Sequence, residues 1–293
     1  MNSHFTPAVP ELSVIVVAAD SGADLRDCVR QVLALDTPLE LILVDNASTD
    51  GVPQALARAN EYEPRFRLLQ NHRNLGFGPA VNRAAEQAKA RQLLVLNPDC
   101  EIDQASLDRL LAAFGSEPRV GLLGAVVCDA AGRPDPASWR RDPLLHRALA
   151  TLFDGKGERV EVNEAVPERV FEVEAISGAL MLLPRNLFQR LGGFDEGYFL
   201  HCEDLDLCRR VRDVGWRVLL AGDVRVVHRK GGSGRHRPVF VSRHKHGGMW
   251  RWFRKFDPAA HRPLVAMAVW LGIWGHFLFK VPGLLLHRQV AGK

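Results

Sequence analysis

Several common signals are missing from this chain. Met1–Pro10 has no basic start followed by an apolar run, so a signal peptide is not expected and the protein is read as cytoplasmic. The five cysteines (Cys28, Cys100, Cys128, Cys202 and Cys208) are odd in number and contain no Cys-x-x-Cys pair. That argues against a disulfide frame or a zinc site and for reduced thiols. A dinucleotide-binding Gly-x-Gly-x-x-Gly is also absent. The turn Ala18-Ala19-Asp20-Ser21-Gly22-Ala23-Asp24 after the first predicted strand has one glycine, which argues against a nicotinamide dehydrogenase. The longest apolar run, Leu264–Phe279, contains His276 and is followed by Lys280 and Pro282, short of the ~20 residues of a spanning helix. Between Arg225 and Arg262 acids are nearly missing: eleven Lys or Arg stand against Asp257 alone.

What is present reads as α/β. The 293 residues are 47% hydrophobic and 25% charged, enough for one large domain or two small ones. Leu12–Val17 and Leu39–Val44 are β-branched, nearly continuous apolar runs, as buried parallel strands are. Between them Leu25, Cys28, Val29, Val32 and Leu33 recur at helical spacing after Asp24, a candidate cap. The second strand ends in Asp45-Asn46-Ala47-Ser48-Thr49-Asp50-Gly51, which places polar groups at a strand's carboxyl end, where open α/β sheets bind ligands. Arg67–Gln70 predicts a third strand. Asn74-Leu75-Gly76-Phe77-Gly78-Pro79 then predicts a loop entering an alanine-rich helix, with backbone able to approach a ligand closely.

Leu93–Leu96 followed by Asn97-Pro98-Asp99 is the most informative short stretch. Proline excludes the helical conformation at Asn97, so Asp99 falls just past the end of a core strand. A carboxylate there suits a divalent cation carrying phosphate, since Mg²⁺ takes one or two carboxylates plus phosphate oxygens. Alone, it reads better as a turn residue capping the next helix, and the rest of the chain shifts the balance. Asp103 then caps a helix through Leu107, Leu110, Leu111 and Phe114, with Gly115 as its stop. Val120–Val127 is a strand, Asp129–Pro143 a loop, and 154–169 a polar surface segment. A Gly-Ala pair at Gly178-Ala179 between strands indicates a close approach. Gly192–Arg210 gathers Asp195, Glu196, Glu203, Asp204 and Asp206 around Gly-Gly-Phe, and a helix opens at Glu203 or Asp204 with Leu207, Val211 and Val214 turned inward. A helix dipole accounts for one such acid; a general base facing a pocket accounts for the cluster. Trp216–Leu220 and Val224–Val227 read as edge or closing strands. His228 precedes the basic, glycine-rich Arg229–Gly234 and suits a metal or a diphosphate.

The tail interleaves Trp250, Trp252, Phe253 and Phe256 with Arg251, Arg254 and Lys255 before the apolar run. This pattern predicts an amphipathic segment at a membrane surface rather than a nucleic-acid site, for which no recognition motif is present.

In order along the chain, Val44–Ser48, Asn74–Gly78 with Asn82, Leu96–Asp99, Ser177–Ala179, Gly192–Glu196, Glu203–Arg209 and His228 with Gly231 and Ser233 resemble a family 2 glycosyltransferase of the GT-A fold, in its rhamnosyltransferase-like branch. The resemblance spans about Leu12–Ser233. It implies a mostly parallel, Rossmann-like sheet flanked by helices, with a catalytic domain at 1–243 and a helical, membrane-associating extension at 244–293. It implies that Asp204, with Glu203 beside it, is the catalytic base. Donor contacts are implied for Asp45, Asn46, Ser48, Asn74, Gly76, Asn82, Asn97, Ser177 and Gly178, and acceptor contacts for Phe194, Asp195 and Glu196. Asp99 and His228 would face Mg²⁺ or Mn²⁺. The reaction implied is inverting transfer from a nucleotide-diphosphate sugar, dTDP-rhamnose favoured, to a glycan or lipid-linked saccharide at the inner face of the plasma membrane. The branch carries Asn-Tyr-Asn where this chain has Ala18-Ala19-Asp20, which leaves a UDP- or GDP-sugar donor, or an inactive sugar-nucleotide-binding scaffold, as alternatives. A homodimer is left open.

Overall fold

The computed structural model describes residues 9–153, 157–162, 164–229 and 237–290, the last five by backbone alone. Gly231 and Ser233, with most of the glycine-rich loop and part of 154–169, lie outside these described residues.

The elements follow in the order β1 (Leu12–Ala18), α1 (Gly22–Leu33), β2 (Leu39–Asp45), α2 (Val52–Ala59), β3 (Phe66–Gln70), α3 (Phe77–Gln87), β4 (Gln92–Leu96) and β5 (Cys100–Glu101). Then come α4 (Gln104–Ser116), β6 (Val120–Cys128), β7 (Trp139–Arg140), α5 (Leu145–Leu152), β8 (Val170–Glu172), β9 (Ala175–Ile176), β10 (Leu180–Pro184) and α6 (Arg185–Arg190). The chain closes with α7 (Glu203–Asp213), β11 (Arg217–His228), α8 (Pro238–Phe256), a 3-10 turn (Pro258–His261) and α9 (Pro263–Val290). The main sheet runs β3-β2-β1-β4-β10-β6-β11-β5, with β8 added on β11. Its β3-β2-β1-β4 half is parallel, β10 runs antiparallel to both β4 and β6, and β6 and β11 are parallel again.

Strand alternation divides the core in two. Val14 and Val16 face α1, α2 and α4, while Ile15 and Val17 face α3, α6 and α7. Both faces are covered, so these strands are nearly all apolar rather than alternating, with Ser13 donating to Glu40 at 2.6 Å as the buried polar exception in β1 and β2. Ala80, Ala84 and Ala85 let α3 lie close on the sheet, and each is essentially without exposed surface. Enlarging one of them would overpack the contact at a cost of about 1–3 kcal/mol. All five cysteines are buried and none is bonded to another.

Local expectations met with differences that have simple causes. Asp103 caps α4 by accepting from the Ser106 N–H at 2.7 Å. Asp24 sits in the first turn of α1, after the Ser21 cap position, where its charge still favours the helix dipole. The α4 helix runs one residue past Gly115. Val214 stands at the end of α7 and is 52% exposed rather than inward. Trp216–Leu220 and Val224–Val227 belong to one strand, β11, which bulges between Ala221 and Arg225 and lies inside the sheet, not at its edge. The Asp129–Pro143 loop contains β7, which pairs with β9. No break occurs at residue 243, because α8 is continuous across it. The α9 helix passes through Lys280 and Pro282, and its Pro263–Leu285 portion is long and apolar enough to cross a membrane by length and composition.

Candidate active site

The carboxyl ends of β1, β2 and β4 open on a cavity of about 340 Å³, lined by Asp20, Asn46, Asn97, Asp99, Phe199 and Phe240 among others. The parallel half of the sheet puts these ends on one edge, as expected for a ligand crevice in an α/β sheet. Two chain segments close over it. Gly76 has φ +93°, and a Cβ there would lie 2.6 Å from the Phe199 carbonyl, so only glycine lets the 199–202 turn come down on this loop. Phe77 N–H donates to that same carbonyl at 3.0 Å. From the other side, the first turn of α8 contributes Phe240, whose ring meets Phe199 edge-on at 5.3 Å, and His244 stacks on Phe199 at 4.4 Å. Sequence reasoning kept Phe240 within the 1–243 catalytic domain but gave it no site role, and left His244 outside; the Phe240–His244 spacing of one helical turn was the available signal.

Asp99 and His228 are brought together by the pairing of β5 with the end of β11, where His228 is registered with Cys100. Asp99 Oδ1 lies 2.9 Å from His228 Nε2, and Asn97 Nδ2 is 3.4 Å from the same nitrogen. His228 Nδ1 is buried without a partner. One donor atom each from Asp99, Cys100 and His228 lie within 4.8 Å of one another. Burial, with Asp99 second, pushes the Cys100 thiol well above its usual range. A carboxylate and an imidazole, with phosphate or water completing the shell, fit a divalent cation of the Mg²⁺ or Mn²⁺ kind.

Asp204 lies in the first turn of α7, entered through His201 and Cys202, both at φ +70°. Two successive non-glycine residues in that region are strained backbone, of the kind concentrated at functional sites. Asp204 Oδ2 accepts from Arg140 at 2.5 Å and from Gly178 N–H at 3.2 Å, while Oδ1 accepts from Leu205 N–H at 2.8 Å. A Cβ on Gly178 would stand 3.3 Å from the Asp204 Cβ. Burial acts to lower the Arg140 pKa, but the Asp204 carboxylate more than offsets it and the net shift is upward. Glu203 beside it is buried, with Oε2 unpartnered, and burial together with the Asp204 charge pushes its carboxyl up to about 8. Arg140 went unremarked in the sequence because β7 is two residues long and carries no periodicity.

The remaining expected residues separate into groups. Asn46 lines the cavity, but its amide holds the following loop: it donates to Asn74 Oδ1 (2.9 Å) and the Gly76 carbonyl (3.0 Å) and accepts from Asn71 and Leu75 N–H. Asp45 is buried, accepting from Ser48 N–H and Gln54, and Ser48 Oγ accepts from Asp20 N–H. Ser177 N–H donates to the Ser138 carbonyl. Asn82 is not in the cavity; it accepts from Phe194 N–H at 2.7 Å and donates to the Phe194 carbonyl and Glu196. Phe194 is in the core between Phe77 and Phe188. Asp195 is taken up by α8: Arg251 donates to it at 2.7 Å and Lys255 at 2.8 Å. Burial opposes its charge, yet these cations hold its carboxyl well below the usual range.

A parallel half-sheet opening on a crevice, closed by an antiparallel strand and flanked by an Asp–His pair and a strained carboxylate turn, has the layout of the GT-A nucleotide-diphospho-sugar transferase fold. The chain belongs to glycosyl transferase family 2, whose model matches residues 13–162. It is 31% identical over 268 residues to an N-acetylglucosaminyl-diphospho-decaprenol L-rhamnosyltransferase of Mycobacterium tuberculosis, covering 82% of this chain and 86% of that one. Over 160 residues it is 27% identical to rhamnosyltransferase WbbL of Escherichia coli, covering 52% and 60%. Its fold is similar to that of mannosyltransferase PcManGT from Pyrobaculum calidifontis in complex with GDP-Man and Mn²⁺, with TM-score 0.60 and 20% identity over 97% of this chain and 75% of that one. The protein is therefore a nucleotide-sugar glycosyltransferase of family 2.

Proposed function

We propose that the protein transfers L-rhamnose from dTDP-rhamnose, with inversion, to a hydroxyl of a lipid-linked saccharide at the inner face of the plasma membrane. The observation that carries the catalytic part is Asp204. Its Oδ2 is filled by Arg140 and Gly178, whereas among the described residues Oδ1 accepts only from Leu205 and keeps a lone pair to take a proton. Oδ1 removes the acceptor's hydroxyl proton as that oxygen attacks the anomeric carbon from the face opposite the diphosphate. Asp99 and His228 would hold the divalent cation, through a carboxylate oxygen and the imidazole Nε2 that face each other. The cation, when bound, neutralises charge developing on the departing diphosphate. The rhamnosyl donor and the lipid-linked acceptor are supported by the names of the two rhamnosyltransferase relatives, one acting on a decaprenol-linked substrate.

The test is thermal shift with a donor panel, with and without Mn²⁺, followed by turnover of Asp204→Asn. A cation-dependent shift with dTDP-rhamnose is expected, since a ligand at a hundred times its Kd stabilises by about 3 kcal/mol. Asp204→Asn should retain that shift and lose at least about a hundredfold in kcat. A shift with UDP- or GDP-sugars alone replaces the sugar. Unchanged turnover in the variant removes Asp204 as base.

A further inference from the structure

The α9 helix is exposed and apolar in a way that no glycosyl-transfer step uses. Leu264, Met267, Leu271 and Leu278 recur at helical spacing on one outer stripe and are 56–76% exposed, with Phe279 beside them at 84%. Ala266, Val269, Ile273 and Phe277, on the opposite side, are buried or half-buried. Within Pro263–Leu285 the polar side chains are His276 and Lys280 alone, and at ~100° per residue both fall on the half of the helix that includes Ile273 and Phe277. The outer face therefore carries no charge over about 34 Å of helix. α9 also doubles back along α8: His246 Nε2 lies 3.1 Å from His276 Nδ1, and the His246 ring is 5.5 Å from that of Phe277.

At the elbow joining the two helices, Trp250, Arg254, His261, Met267 and Trp270 line an open groove of about 520 Å³. Arg254 sits over Trp250 at 5.7 Å, and Arg262 is exposed next to the groove. No acid follows Asp257 in the sequence, and Asp257 is itself buried, accepting from Leu145 and Ala259 N–H. Cations and tryptophans at one end of an uncharged apolar face match the headgroup boundary of a bilayer.

We propose that the α8–α9 hairpin docks flat on an anionic bilayer, with the Leu264–Leu278 stripe among the acyl chains and the elbow groove on phospholipid phosphate. A spanning α9 is disfavoured by its packing. It would draw α8 toward the hydrocarbon, and α8 is fastened to the catalytic domain by Arg251 and Lys255 on Asp195 and by Lys255 on Asp206. Ion pairs in lipid are costly. The first turn of α8 walls the sugar-nucleotide cavity, so docking also fixes that cavity relative to the leaflet. This inference rests on the membrane part of the reading above.

The experiment is flotation of the full-length protein on vesicles of phosphatidylcholine alone and with a third phosphatidylglycerol. No donor or acceptor is present, so failure here leaves the transfer chemistry standing. The wild type should float with the anionic vesicles and less with neutral ones. Leu271→Asp with Leu278→Asp should lower partitioning roughly a hundredfold, since two large apolar side chains no longer enter lipid. Arg254→Glu should erase the preference for phosphatidylglycerol while leaving binding to neutral vesicles. The double variant should keep the wild-type melting temperature, Arg254→Glu should melt slightly lower through loss of its contacts to Trp250 and the Ala260 carbonyl, and all variants should keep the nucleotide-induced thermal shift. Undiminished flotation of the double variant overturns the apolar contact, and an unchanged lipid preference in Arg254→Glu overturns the phosphate groove. A wild type that stays unbound and sediments as a dimer, which the double variant converts to monomer, assigns the face to a second copy instead.

Discussion

Glu203→Gln should make the protein more stable near neutral pH, and the pH dependence of that gain is the test. The side chain is buried, Oε2 has no partner, and burial plus the Asp204 charge raise its carboxyl to about 8. An unfolded chain releases the same proton near pH 4.3. Between those values the folded state holds one more proton than the unfolded state, so stability falls as pH rises. At about 1.4 kcal/mol per pH unit, the loss accumulated by pH 7 is of order 3 kcal/mol, and it levels off above pH 8. Glutamine resembles the neutral acid, including its unsatisfied buried donor, so the two proteins should be nearly equal at pH 4. By pH 7 the variant should melt roughly 5–10 °C higher. Urea or thermal unfolding from pH 4 to 8 measures this directly. Parallel stability curves for wild type and variant would refute the reasoning, because they would mean that Glu203 ionises in the fold as it does in the unfolded chain.

Asp195→Asn tests the opposite sign. Its folded pKa is depressed, so its contribution is present above pH ~4 and lost as pH falls. The variant should lose about 2–4 kcal/mol at pH 6, through weakened bonds to Arg251 and Lys255, and converge with wild type in acid. Arg140→Met should cost about 2–3 kcal/mol by leaving the mostly buried Asp204 carboxylate without its cation, read as a lower urea midpoint with unchanged m. His228→Ala should weaken the Mn²⁺-dependent thermal shift by about tenfold or more in metal concentration while leaving the metal-free melt within a degree or two. A full shift in that variant would exclude the imidazole from the cation site.

The sheet was legible because its strands are covered on both faces. Leu93–Leu96 is apolar at every position, and Leu12–Val17 and Leu39–Val44 are broken only by Ser13 and Glu40, which are buried and bonded to each other; that pattern has few other uses in a chain of this composition. Asp99 was legible for a related reason: Pro98 and the end of the apolar run both mark where the strand stops. The arrangement around Asp204 was only half legible. Its helix announces itself, but the residues that hold it, Arg140 and Gly178, lie on a two-residue strand and in a turn, where no period exists to be read. The acids near Asp195 show the converse. A cluster that looked like one binding surface separates into Asp204 held by Arg140 and Gly178, Glu203 buried, Asp195 paired with Arg251 and Lys255 of α8, and Asp206 paired with Arg210 of its own helix and with Lys255. Charge alone could not assign those partners, because the pairing is made by tertiary packing.

The same packing explains why a boundary at residue 243 does not divide this molecule by function. A helix whose first turn walls the cavity and whose last turns bind Asp195 and Asp206 is a structural part of the site, whatever its far end meets. Trp252 of that helix is fully buried in the same core as the α7 residues behind Asp204. Removing the helix would strip a wall from the crevice and open a core contact costing about 3–5 kcal/mol for the tryptophan alone. A surface face of α9 can be changed at less cost, since its outer stripe is more than half exposed. The physical division therefore runs along the length of the hairpin, between the inner surface of α8 that builds the site and the outer surface of α9 that is free to meet a membrane.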